Sequence, residues 1–116
     1  MGGLKQYDLE ERTLRFAKRI ISFTQLLPRN TANAEISRQL IRSAGSIGAN
    51  YIEANESLGK RDFQMRIRIA KKESKECRYW LQLLSCSQEL SVEQQHLTQE
   101  STELMNIFGA ILRNSQ

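Results

Sequence analysis

The chain is 116 residues long, 40% hydrophobic and 26% charged, with one proline, six glycines, two cysteines and a net charge of +4. That length fits one domain over residues 1–116, with a core that needs neither disulfides nor metal. The composition fits an ordinary soluble protein, and no apolar run approaches the ~20 residues of a membrane-spanning helix. Few helix breakers and many Leu, Ile, Ala, Gln, Glu, Lys and Arg favour an all-α protein. The N-terminal MGGLKQYDLEER has no signal-peptide apolar core, and Gln6 stands where a myristoylation signal needs Ser or Thr. Cys77 and Cys86 project to opposite sides of one predicted helix and cannot bridge each other, so a reduced, cytoplasmic protein is expected.

The first predicted helix spans 8–27. Asp8 and Glu11 make a capping-box pattern, Leu9, Phe16, Ile20, Phe23 and Leu27 follow at helical spacing, and Pro28 stops the run. After the polar PRNTAN loop, a second helix spans 32–58, with Ile36, Leu40, Ile47, Tyr51 and Ala54 on one face and Gly59 as its C-terminal cap. The third spans 62–88, opened by Asp62, with Phe63, Ile67, Ala70, Ser74, Cys77, Leu81 and Leu84 facing one way. A second capping box, Ser91 with Gln94, opens the fourth, 92–114, which carries Leu97, Leu104, Phe108 and Ile111. Short connections between long amphipathic helices predict an antiparallel up-down-up-down four-helix bundle.

Two helices have more apolar surface than such a bundle needs. Beside the core stripe of the second helix runs a line of Ile41, Gly45, Gly48 and Ile52. Two glycines on one line, each costing roughly 1 kcal/mol against alanine, suggest that another backbone comes close. On the third helix, Met65, Ile69, Trp80 and Leu83 lie alongside the core stripe. Either these residues cover edges of the same core, or they form an interface between copies of the chain, with Tyr79 and Trp80 as anchors.

Charge is concentrated. Residues 60–78 hold Lys60, Arg61, Arg66, Arg68, Lys71, Lys72, Lys75 and Arg78 against Asp62, Glu73 and Glu76, a local net of +5. All the cations but Arg66 fall within roughly 120° of helical arc. The first helix has a shorter band of Arg12, Arg15, Lys18 and Arg19, whereas residues 79–116 carry a net of −3. A solvated face normally mixes signs, so a one-sign stripe fits a polyanion, RNA or DNA, held through its phosphates with little sequence reading. Plain solubility, an acidic protein and a membrane surface are the competing explanations.

Chemistry finds few residues to work with. His96 is the lone histidine, and no CxxC, HExxH, Walker or GxGxxG motif occurs. Glu53, Glu73 and Glu76 imitate part of a di-iron carboxylate set, but the required histidines are missing. No catalysis, cofactor or metal is expected. Within RSAGSIGANYIEANE, residues 42–56, Glu53 needs a partner if it is buried, and Arg42 or Arg66, with Asn50 completing the network, would provide one.

The stretches QLIRSAGSIGANYIEANE and RDFQMRIRIAKKESKECRYWLQLL resemble a family of small four-helix bundle proteins encoded in intervening sequences of bacterial large-subunit (23S) ribosomal RNA genes, related to the accessory protein of diversity-generating retroelements. The match rests on Gln39, Arg42, Ser43, Ser46, Ile47, Asn50 and Glu53, then on Phe63, Ile69, Ala70, Glu73, Glu76, Tyr79, Trp80 and Leu81. Ala54 and Glu73 depart from the pattern, where many relatives carry Gly and Ser. The resemblance implies a basic homopentameric ring. For the retroelement branch it implies binding to nucleic acid and to a reverse transcriptase. A nucleic-acid-binding oligomer and a self-assembling adaptor for another protein are therefore the two functional expectations.

Overall fold

A computed structural model describes residues 6–116; the MGGLK segment, with the N-terminal targeting features read from it, lies outside the described residues. The protein is a four-helix bundle: α1 (Gln6–Gln25), α2 (Thr31–Asn55), α3 (Lys60–Leu83) and α4 (Ser91–Asn114), with a 3₁₀ turn at Gln88–Leu90 before α4. No strand occurs among the described residues. The broadest contacts are α2 with α3 and α3 with α4; α1 against α4 is the narrowest.

Each helix buries most of its predicted stripe, with Ile36, Phe63 and Ile111 only half-buried. Phe16, Ile20 and Phe23 from α1, Leu40 and Ile47 from α2, Ile67 and Leu81 from α3, and Leu97, Leu104 and Phe108 from α4 are nearly inaccessible. Each such side chain stabilises the fold by about 1.5–3 kcal/mol relative to exposure. Tyr51 and Phe108 meet across the centre with ring centroids 5.8 Å apart. Thr13, Ser74 and Ser101 are buried among them, and each hydroxyl donates to the carbonyl four residues earlier, so none of these three hydroxyls is stranded.

The helix ends differ from the sequence expectation, and competing hydrogen bonds explain most of the difference. Asp8 lies inside α1, in its first turn, and is not a cap. α2 stops at Asn55, where Glu56 and Ser57 turn their amides back to Glu53 and Ala54, and Ser57 Oγ donates to Ala54 O at 2.6 Å. Gly59 has extended backbone (φ −168°) and is the N-cap of α3, whose first turn begins with Phe63 N–H donating to Gly59 O; it does not cap α2. α3 stops at Leu83 rather than 88. Another turn would need the Ser85 N–H to donate to Leu81 O. Both groups are already taken: Ser85 N donates to Asn33 Oδ1 at 3.1 Å, and Leu81 O accepts from Gln94 Nε2 at 2.7 Å. Gln94 therefore caps α3 instead of closing a box with Ser91, whose hydroxyl donates to Gln88 O.

Asn33 is buried and joins the two loops at this end of the bundle. Its Nδ2 donates to Pro28 O (3.0 Å) and Ser85 O (2.9 Å), and its own N–H donates to Asn30 Oδ1, the cap of α2. Asn33→Ala leaves the Ser85 amide and two carbonyls short of partners in a part-buried site. The expected loss is about 2 kcal/mol in urea unfolding; a change below about 0.5 kcal/mol would show that the loops do not depend on Asn33.

Candidate nucleic-acid interface

The cations of α3 face outward without carboxylate partners. Lys60, Arg61, Arg68, Lys71, Lys72 and Lys75 are exposed and Arg78 is half-buried. None of the seven forms an ion pair among the described residues. Lys71, Lys75 and Arg78 recur at intervals of four and three, which sets them along the α4 side of the stripe. There Arg78 Nη1 reaches Thr102 Oγ1 at 3.5 Å. Lys71 Nζ and Arg113 Nη1 converge over α4, 3.8 Å and 3.5 Å from the point a Cβ on Gly109 would occupy. Arg113 was not among the sequence candidates, since it stands alone in an acidic segment; only the fold brings it to Lys71.

The seam between α3 and α4 stays basic because α4 turns its carboxylates the other way. Arg12 Nε donates to Glu100 Oε2 at 2.7 Å, and Arg12 Nη2 donates to Glu100 Oε1 at 2.9 Å and to Glu103 Oε1 at 2.8 Å. Arg19 holds Glu93 through two bonds of 3.2 and 2.9 Å. These are forked, charge-assisted pairs, each about 1 kcal/mol given their partial exposure. Hydrogen bonding to Glu100 raises the Arg12 pKa further, so that side chain stays charged. Hydrogen bonds from Gln99, then from Arg12, hold Glu103 below the usual carboxylate range. Arg12 and Arg19, expected to contact phosphates, are instead engaged inside the fold. In the same band Arg15 lies 3.8 Å from Glu11 and is exposed, while Lys18 is exposed and outside any ion pair among the described residues.

The expected clasp around Glu53 has different members. Glu53 is exposed and its carboxylate makes no hydrogen bond or ion pair among the described residues. Arg42 instead spans Glu73 (3.6 Å) and Glu76 (3.7 Å) on α3. Arg66 donates to Asn50 Oδ1 at 3.1 Å, and Asn50 donates in turn to Ser46 O and Ser46 Oγ. Glu73 is the buried carboxylate, 5% exposed, with its Oε1 unpartnered. Beside it the Cys77 thiol is pushed up by burial, with Glu73 and Glu76 adding to the shift, so Cys77 is an inert core residue.

The candidate contact residues divide between two faces. On α2, Ile41, Gly45 and Ile52 are exposed, and nothing lies within 4 Å of a Cβ on Gly45. Gly48 is different: a Cβ there would sit 2.9 Å from Thr13 Oγ1, so its missing side chain serves the packing of α1 on α2 and not an outside partner. Leu14 (51% exposed) and Ile21 (43%) of α1 flank the same side and were missed, because they lie off the core stripe. On α3, Met65 and Leu83 are exposed and Ile69 is half-buried. Trp80 is half-buried and packs on one side against the bundle's own core; exposed Tyr79 meets its edge at 5.2 Å. No group of three or more potential metal ligands occurs among the described residues, and no helix there is long and apolar enough to cross a membrane.

The model of a family described as 23S rRNA-intervening sequence protein matches residues 5–110. A crystal structure of a protein with unknown function, from the S23 ribosomal protein family of Bacteroides thetaiotaomicron, is similar in both sequence and fold. It shares 30% identity, covers 95% of this chain and 99% of its own, and superposes with a TM-score of 0.78. No curated protein matches the sequence.

The Arg12–Glu103 contact makes stability depend on pH. A carboxylate whose folded pKa lies below its unfolded value stabilises the fold above that unfolded value, about 4.5, and loses the contribution as pH falls through the depressed folded value. Arg12→Gln is therefore expected to lower the melting temperature at pH 7, with the gap to the unaltered protein closing by pH 3. A gap of equal size at both pH values would contradict this.

Proposed function

The chain belongs to the 23S rRNA-intervening sequence protein family, and we propose that it acts as a non-enzymatic, self-assembling nucleic-acid-binding protein that grips phosphates along the α3–α4 seam. The observation that carries this reading is the stripe of seven α3 cations without ion-pair partners, beside a helix whose carboxylates pair with α1. Like charges on one face repel one another, and a polyanion relieves that repulsion while releasing counterions. Arg113 adds to the stripe at Lys71.

The helices run up-down-up-down. Contacts support this: Arg12 meets Glu100 while Arg19, later in α1, meets the earlier Glu93. Likewise Asn50 meets Arg66 while the earlier Arg42 meets the later Glu73. Assembly uses two separate apolar faces, Leu14, Ile21, Ile41 and Ile52 on one side, Met65, Ile69 and Leu83 on the other. Two different faces on one chain suit head-to-tail contacts that close into a ring, five-membered by resemblance to the family. A ring repeats the basic seam and turns weak single contacts into avidity.

The same exposed apolar faces favour the second reading, an adaptor for another protein, a reverse transcriptase among them. Filter binding separates the two. RNA or DNA is expected to bind the unaltered protein and to weaken roughly 50-fold or more between 50 and 200 mM salt, as for about four or more phosphate contacts. Simultaneous Lys71→Glu, Lys72→Glu and Lys75→Glu is expected to abolish binding with no change in sedimentation. Unchanged affinity, or no salt-dependent binding at all, would favour the adaptor.

A further inference from the structure

At the end of the basic seam, where α3 finishes and α4 begins, a groove of about 340 Å³ is lined by Gln82, Gln94, Gln95, Thr98 and Gln99. That volume lies at the lower end of the range for small-molecule sites. Every lining side chain carries an amide or a hydroxyl and none is charged. Gln94 is a fixed wall, since its Nε2 caps α3 and its Oε1 accepts from Cys86 Sγ at 3.1 Å. Gln99 is steered by its bond to Glu103 at 3.1 Å, and so by the Arg12 pairing on the far side of α4. Gln82 and Gln95 are exposed and their side chains make no hydrogen bond among the described residues, so two whole amides are available to a ligand.

We propose that this groove reads an unpaired base of single-stranded RNA whose phosphates lie on the adjoining cations. This rests on the phosphate-binding reading above and adds a specificity element to it. A glutamine amide presents a donor and an acceptor side by side, which matches the paired donor and acceptor on the edge of adenine. In an RNA duplex the major-groove edge is too deep and narrow to reach, so the base must be unpaired. Gln82 stands four residues past Arg78 and seven past Lys75, roughly 6 Å and 10 Å along the helix. A strand with its phosphates on those two cations therefore brings a base to the groove. The ribose chemistry favours RNA: the Thr98 hydroxyl spends its proton on Gln94 O at 2.8 Å and can only accept, which suits a 2′-hydroxyl donor that DNA lacks.

The test is fluorescence anisotropy with the full chain and ten-nucleotide oligo(rA), oligo(rC), oligo(rU) and oligo(dA), at one low and one moderate salt concentration. The unaltered protein is expected to bind oligo(rA) roughly tenfold more tightly than the others. The double variant Q82A/Q95A, altered only at exposed positions, is expected to bind all four with the weaker affinity and the same salt dependence. Salt-dependent binding with equal affinities would overturn the base site and leave the phosphate contacts standing. Oligo(dA) matching oligo(rA) would overturn the choice of RNA, and a preference that survives in the variant would overturn its location. Absence of salt-dependent binding to every strand would remove the phosphate reading, and the base site with it.

Discussion

The pairing of α1 arginines with α4 carboxylates determines much of the rest of this molecule. α1 and α4 share the narrowest contact in the bundle, and Arg12 and Arg19 bridge it through Glu100, Glu103 and Glu93. The same pairing holds three carboxylates of α4 toward α1 and away from the cations of α3. One set of ion pairs thus closes the fold on one side and leaves a one-sign surface on the other. Surface ion pairs are individually weak. Here their placement matters more than their strength, because it decides where on the protein an anion is attracted.

The four helices and their core were legible in the sequence because period and burial agree; Phe16, Ile20, Leu40, Ile47, Leu81 and Phe108 are buried as their spacing requires. The boundaries were not, because a helix end is decided by competition for the last backbone groups. Gln94 and Asn33, distant in sequence, occupy Leu81 O and Ser85 N and stop α3 before 88. Gly59 read naturally as a C-cap, but the connection is so short that it serves the next helix instead.

The site was legible in its charge and obscure in its pairings. The α3 stripe lies where helical projection put it, since projection depends on a single helix. Arg12 and Arg19 resemble the α3 cations in sequence, and their carboxylate partners, about 75 to 90 residues away, become visible only in the folded chain. The buried carboxylate was obscure for a similar reason: Glu73 faces α2 and is buried beside Arg42, while Glu53, for which a partner was sought, lies on the outer side of α2. Gly48 did mark a close backbone approach, but to α1 of the same chain.

Taken together, the cations divide into a structural pair on α1 and a displayed group on α3 joined by Arg113. Counterion release separates the two groups directly, because each cation that touches a phosphate adds about 0.7 to 0.9 to the slope of log binding constant against log salt. The decisive measurement is that slope for the unaltered protein, for Arg12→Gln with Arg19→Gln, and for Lys71→Gln with Lys75→Gln and Arg78→Gln. The expected result is an unchanged slope for the α1 pair and a loss of about two units for the α3 set. Equal losses from both sets, or a loss from the α1 pair alone, would contradict the division on which the proposed function rests.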